Sequence, residues 1–109
     1  MYKRSLRRLN VKDGTCLLMK NGFFRGTIEN ISLGGLFVKS GLKVNVMDRI
    51  NVSIFLPSDS GGIDFEADVV ATRVDNGGIA FKFYQLDYKE FWTLQSYLHR
   101  SIGPSLCIH

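Results

Sequence analysis

Cysteine, proline, histidine and tryptophan are all scarce in this chain of 109 residues: two, two, two and one. Each shortage excludes something. Cys16 and Cys107 lie far apart, and neither CxxC nor HExxH occurs, so the ligand spacing of a zinc site is missing. Two lone thiols do not form a disulfide framework and fit a reducing cytoplasm; a bridge between them stays open as the second reading. The histidines, His99 and His109, give no nucleophile–base pair, so no enzyme is expected. GxxxxGK[ST] and GxGxxG are absent, which removes the common phosphate-cradling loops. No apolar run approaches the length of a membrane span. The N-terminus carries charge without the apolar run of a secretory leader. These absences set the expectation of a soluble cytoplasmic protein without membrane insertion, metal or cofactor.

What is present is ordinary in amount and uneven in placement. The length predicts one domain, able to bury roughly two-thirds of its surface on folding. The apolar fraction of 45% and charged fraction of 22% are those of a globular protein. Net charge is +4, from 14 basic and 10 acidic residues. Lys3, Arg4, Arg7 and Arg8 account for that whole excess, leaving the body near neutral. A binder of long nucleic acid spreads its charge over a face. Charge confined to one short segment suits a small anionic ligand, which makes nucleic acid the disfavoured partner.

Taken in order, residues 1–9 show no period and read as a flexible basic arm. Residues 11–20 read as a strand, interrupted at Asp13-Gly14 by a bulge. Asn21-Gly22 signals a hairpin, because both residues tolerate positive φ. Residues 23–31 return as a second strand. By period alone Asn30 falls on the face of Phe24 and Ile28, and a bulge near Gly26 would move it. Further strands are expected at 35–39, 49–56, 63–74 and 79–84, with a polar loop at Ser58–Gly62 and a hairpin at Asp75–Gly78. Phe23, Phe24, Phe81 and Phe83 are expected in the core. About six short strands joined by tight turns form the pattern of an all-β barrel. The period then lengthens. Asp87 reads as the N-cap of a helix with Glu90 three places on, Phe91, Leu94, Leu98 and Ile102 share one face, and Gly103-Pro104 ends it. Trp92 and Tyr97 are assigned to core or interface packing. The chain thus divides into an arm at 1–9, a barrel with its helix at 10–102 and a tail at 103–109.

Two short motifs carry the functional reading. Arg4-x-x-x-Arg8 lies in the arm, and Asn30-x-Ser32-x-x-Gly35 lies where the second strand runs into a turn. The pair resembles the two-part signature of PilZ domains, RxxxR and [D/N]xSxxG, and the resemblance extends from Arg4 to about Leu98. It implies a six-stranded antiparallel β-barrel with a C-terminal helix, binding the bacterial second messenger cyclic di-GMP without catalysis. The implied ligand residues are Arg4, Arg8, Asn30, Ser32 and Gly35, with Arg7 and Gly34 as further candidates.

The residue chemistry is consistent with that resemblance. Guanine presents O6 and N7 as a paired acceptor edge, which one guanidinium reads with two parallel donors. Guanidinium planes also stack on bases, as ammonium cannot. Asn30 can donate to and accept from a base or ribose. It is a weaker acceptor than the aspartate the pattern also allows. Ser32 offers a hydroxyl, and Gly34-Gly35 let backbone approach a ligand. The reading is a receptor, monomeric or homodimeric, that orders its arm on binding and signals through a downstream protein. Its competitors are a barrel of the same fold that acts as an adaptor without nucleotide, and a small barrel binding single-stranded nucleic acid.

Overall fold

The structure is a computed structural model and describes residues 8–59 and 61–102. Six strands, β1 (Leu9–Met19), β2 (Phe23–Ile31), β3 (Gly35–Lys39), β4 (Arg49–Leu56), β5 (Ile63–Asp75) and β6 (Gly78–Gln85), precede one helix, α1 (Tyr88–Ile102). The strands close into an antiparallel barrel in the order β1-β2-β3-β6-β5-β4. Closure gives every strand a partner on both sides over part of its length.

Alternation along each strand decides what enters the barrel. Ile50, Val52, Ile54 and Leu56 of β4 point inward, as do Phe65, Ala67, Val69 and Ala71 of β5. They meet Leu18, Ile28, Leu36, Val38, Ile79 and Phe81 from the remaining strands. Gly26 exists because this interior is full: a Cβ there would lie 2.7 Å from Val38 Cγ1 and 3.1 Å from Cys16 Sγ. Burial among these side chains pushes the Cys16 thiol up to about 12, so it stays protonated.

The β1–β2 turn takes the positive φ its sequence calls for, 53° at Asn21 and 140° at Gly22. The β5–β6 turn pairs Asp75 with Gly78 and is held by Asp75 Oδ1, which accepts from the N–H groups of Gly77 and Gly78. Helix α1 starts after Asp87, whose carbonyl accepts from Phe91 N–H at 2.8 Å. The side-chain half of the expected capping box is not made: Glu90 Oε1 is buried without a partner. Leu94, Tyr97 and Leu98 seat the helix, and the Tyr97 hydroxyl donates to the Pro57 carbonyl at 2.9 Å.

One expectation about the core needs correction. Phe23 is 73% exposed and Phe24 is half-exposed, so neither belongs to the core. Phe23 stands opposite Met19 at the last rung of the β1–β2 ladder, and Phe24 is the final member of the inward row, at the rim. Trp92 is half-exposed, held edge-on by Tyr88 and Phe91, while Tyr97 is buried as expected. The segment 40–48 between β3 and β4 also packs onto the core. Leu42 and Val44 are buried, and the Met47 N–H donates to the Ala71 carbonyl at 2.7 Å.

Candidate functional site

Two irregularities in register build the candidate site. Between β1 and β2, Asn10 pairs with Asn30 and Gly14 with Ile28, so β1 carries two more residues than β2 over this interval. Asp13, inside it, has φ 65°, which places the bulge where Asp13-Gly14 foretold it. Between β2 and β3, Ile28 pairs with Val38 but Asn30 pairs with Phe37, leaving Glu29 extra. The shift therefore falls at Glu29 and not near Gly26. Its consequence is a change of face: Ile28 and Ile31 both enter the core, and Asn30 turns outward.

Outside the barrel Asn30 meets the arm. Arg8 Nη1 donates to Asn30 Oδ1 at 2.7 Å, on an exposed surface and across 22 positions of chain. The second motif begins where the first ends. Its remaining residues shape the turn. The Ser32 N–H donates to the Gly35 carbonyl at 2.8 Å, and Ser32 Oγ accepts from the Gly34 N–H at 3.1 Å. Ser32 is only 2% exposed, so its hydroxyl is committed to the turn. The Gly34 carbonyl accepts from the Phe83 N–H at 2.9 Å, which ties the turn to β6. Gly35 is buried, and a Cβ on it would overlap the Phe81 carbonyl oxygen. Its glycine is required by strand packing, whatever it also allows a ligand. Arg4, Arg7 and Lys3 lie outside the described residues.

Two residues that sequence reasoning passed over stand beside Asn30. The ladder runs Asn10, Asn30, Phe37, Ala80, Arg73 across five strands, all on the outer face. Phe37 lies directly next to Asn30, and the Arg73 guanidinium sits 5.7 Å from the centre of the Phe37 ring. Arg73 Nε also reaches Asp75 Oδ2 at 3.4 Å. The outer surface thus offers, in sequence, a guanidinium, an amide, an aromatic ring and a second guanidinium. Phe37 was hidden by Leu36 and Val38, which make an unbroken apolar run without alternation. Arg73 lies 43 residues from Asn30, and only the β5–β6–β3 register brings it near.

This surface differs in sign from a groove of about 510 Å³ lined by Asn51, Glu66, Asp68, Gln85, Asp87 and Glu90. Four carboxylates without a lining cation repel phosphate. Among the described residues no group of three or more ligating side chains is placed to hold a metal ion.

Comparison with known proteins follows the same line. The sequence profile of the PilZ domain matches residues 2–100. No curated protein matches the chain by sequence. Among solved structures the chain is similar to the Bacillus subtilis inhibitor of motility (MotI/DgrA), at 18% identity and a TM-score of 0.79. That match covers 94% of this chain and 52% of the other, so the chain spans about half of that protein's length. It is also similar to the PilZ domain of CeSA from a cellulose-synthesizing bacterium, at 17% identity and TM-score 0.66, covering 89% of this chain and 99% of that one. The PilZ domain of YcgR from Escherichia coli, solved with c-di-GMP, gives 17% identity and TM-score 0.67, covering 92% and 94%.

Proposed function

The chain belongs to the PilZ domain family, and we propose that it is a non-catalytic receptor for cyclic di-GMP acting in a bacterial cytoplasm. The observation that carries this reading is the contact of Arg8 with Asn30, which joins the two motifs into one surface. The likeness to the YcgR domain solved with c-di-GMP supports it.

Arg4 and Arg8 supply guanidinium donors to guanine edges and phosphates, with Arg7 adding charge. Asn30 fixes Arg8 and offers its amide to base or ribose. Ser32 and Gly34-Gly35 hold the turn so that its backbone faces the ligand. Phe37 and Arg73 extend the surface with a ring and a cation for a second base to stack against. The arm, expected at residues 1–9 but ending at Arg8 because Leu9 opens β1 opposite Ile31, closes over the ligand against the barrel, and the tail at 103–109 takes no part. Ordering the arm costs conformational entropy, which the charge-assisted contacts offset. The newly ordered arm then forms a surface that a protein partner reads, as a likeness to an inhibitor of motility supports.

Calorimetric titration with cyclic di-GMP, with GMP and GTP as controls, tests the reading. Saturable binding selective for the cyclic dinucleotide is expected. Absence of heat, together with arm resonances unchanged by the nucleotide in NMR, would sink it.

A further inference from the structure

In an antiparallel barrel the connections alternate between ends. The β1–β2, β3–β4 and β5–β6 connections share one end, and the β2–β3 turn of the nucleotide surface shares the other with the helix. The first end has an unusual surface. Among the described residues, five of the ten exposed large hydrophobics lie on it: Phe23, Phe24, Val46, Met47 and Val74. Phe23 and Met47 are more than 70% exposed, and Met47 is held out on a backbone with φ 81°. These side chains are not supporting a core.

Charge at this end is lopsided. Its two acids are already engaged: Asp48 with Lys20 at 2.8 Å, and Asp75 with Arg73 at 3.4 Å. Among the described residues, Lys39, Lys43 and Arg49 have no carboxylate partner at the same end. The Lys20–Asp48 pair also ties the β1–β2 tip to the loop that carries Met47, so the apolar tips keep fixed relative positions. Phe24 and Lys43 line one depression with Lys20, Asn21, Gly41 and Leu42.

We propose that this end docks on an anionic lipid bilayer, with Phe23 and Met47 entering the headgroup region and Lys39 and Lys43 contacting lipid phosphates. Separate apolar tips on three connections suit a fluid surface that fills the space between them. A protein interface instead needs a continuous complementary face. The lysines add attraction to anionic headgroups while their stems lie along the apolar boundary. This placement keeps Arg8 and Asn30 away from the lipid, and it does not depend on the nucleotide reading.

The test is flotation of the full chain with vesicles of phosphatidylcholine alone and of phosphatidylcholine with phosphatidylglycerol. Binding is expected only to the anionic vesicles. Lys39→Glu/Lys43→Glu should weaken it roughly tenfold or more, and Phe23→Ser/Met47→Ser should weaken it severalfold. Both double variants should melt like the parent, because all four side chains are on the surface. Because the arm is itself basic, Arg4→Ala/Arg8→Ala measures its share and should weaken vesicle binding less than Lys39→Glu/Lys43→Glu does. In a Phe23→Trp/Trp92→Phe chain, brominated lipid should quench the new indole and shift its emission to the blue. Loss of binding in the arm variant with none in the Phe23/Met47 variant would overturn the proposal. So would no binding to anionic vesicles at low salt, which would leave an acidic protein as the occupant of this end.

Discussion

Arg8 Nη1 lies 2.7 Å from Asn30 Oδ1, and this hydrogen bond joins the residue ahead of β1 to the end of β2. The rung that places it is the Asn10–Asn30 pair, two residues from Arg8 along β1. The bulge at Asp13 and the extra residue at Glu29 turn Asn30 to the outer face, where Arg8 reaches it. The two motifs are therefore mechanically coupled: what moves the Asn30 amide moves the Arg8 guanidinium.

That coupling is measurable. Arg8→Ala should weaken cyclic di-GMP binding about 10- to 100-fold, the range for losing a charge-assisted contact. Asn30→Ala should cost about tenfold alone and distinctly less in the Arg8→Ala background, because its work is partly to aim Arg8. Titrating the parent, both single variants and the double variant closes the cycle. Strict additivity would mean that Asn30 and Arg8 act on the ligand independently.

Phe37 stands next to Asn30 on the ladder, with Arg73 beyond it. A ring in that position gives a base something to stack on. Phe37→Ala should reduce affinity roughly 5- to 100-fold, the cost of one lost base–aromatic stack. Arg73→Ala should reduce it about two- to fivefold, as for an exposed cation–π contact. Phe37→Tyr should restore binding to Phe37→Ala. A thermal melt of each variant separates lost affinity from lost fold.

The barrel was legible in the sequence because its physics is local. Asn21-Gly22 and Asp75–Gly78 announce hairpins, and the alternation in 49–56 and 63–74 names the inward row without help from neighbours. Phe23 and Phe24 were misjudged because hydrophobicity says nothing about position along a barrel, and these two sit at its rim. The site was half legible. Arg8, Asn30, Ser32 and Gly35 form a pattern in the chain, but the face of Asn30 depends on a one-residue bulge in β2 that no local signal marks. Phe37 and Arg73 needed the β3–β6–β5 register, a property of three strands together.

Gly35 shows how a motif residue can be conscripted by packing. A Cβ at this position would meet the carbonyl of Phe81, a backbone atom that cannot move aside. Gly35→Ala should destabilise the fold by about 3 kcal/mol, the upper end for overpacking, as read in urea unfolding. Any fall in ligand affinity in this variant then reports a disturbed β3–β6 pairing.

Asp48 sets an acid limit on stability. Its Oδ2 accepts from the Asn45 N–H at 2.9 Å and from Lys20 Nζ at 2.8 Å. These contacts, the Asn45 N–H first, hold its carboxyl below the usual 3.8. The folded state therefore binds fewer protons than the unfolded state in the window between the two values. Stability from this group is fully present above the unfolded value and is lost as pH falls through the folded one. Asp75 is lowered in the same direction, chiefly by the Gly77 N–H. Urea midpoints measured from about pH 6 down to about pH 2.5 should fall steeply below about pH 4 in the parent. Asp48→Asn should start lower and lose part of that slope, and Asp48→Asn/Asp75→Asn should lose more. A parent and variant with parallel acid limbs would mean that neither carboxylate is held by the turn it caps.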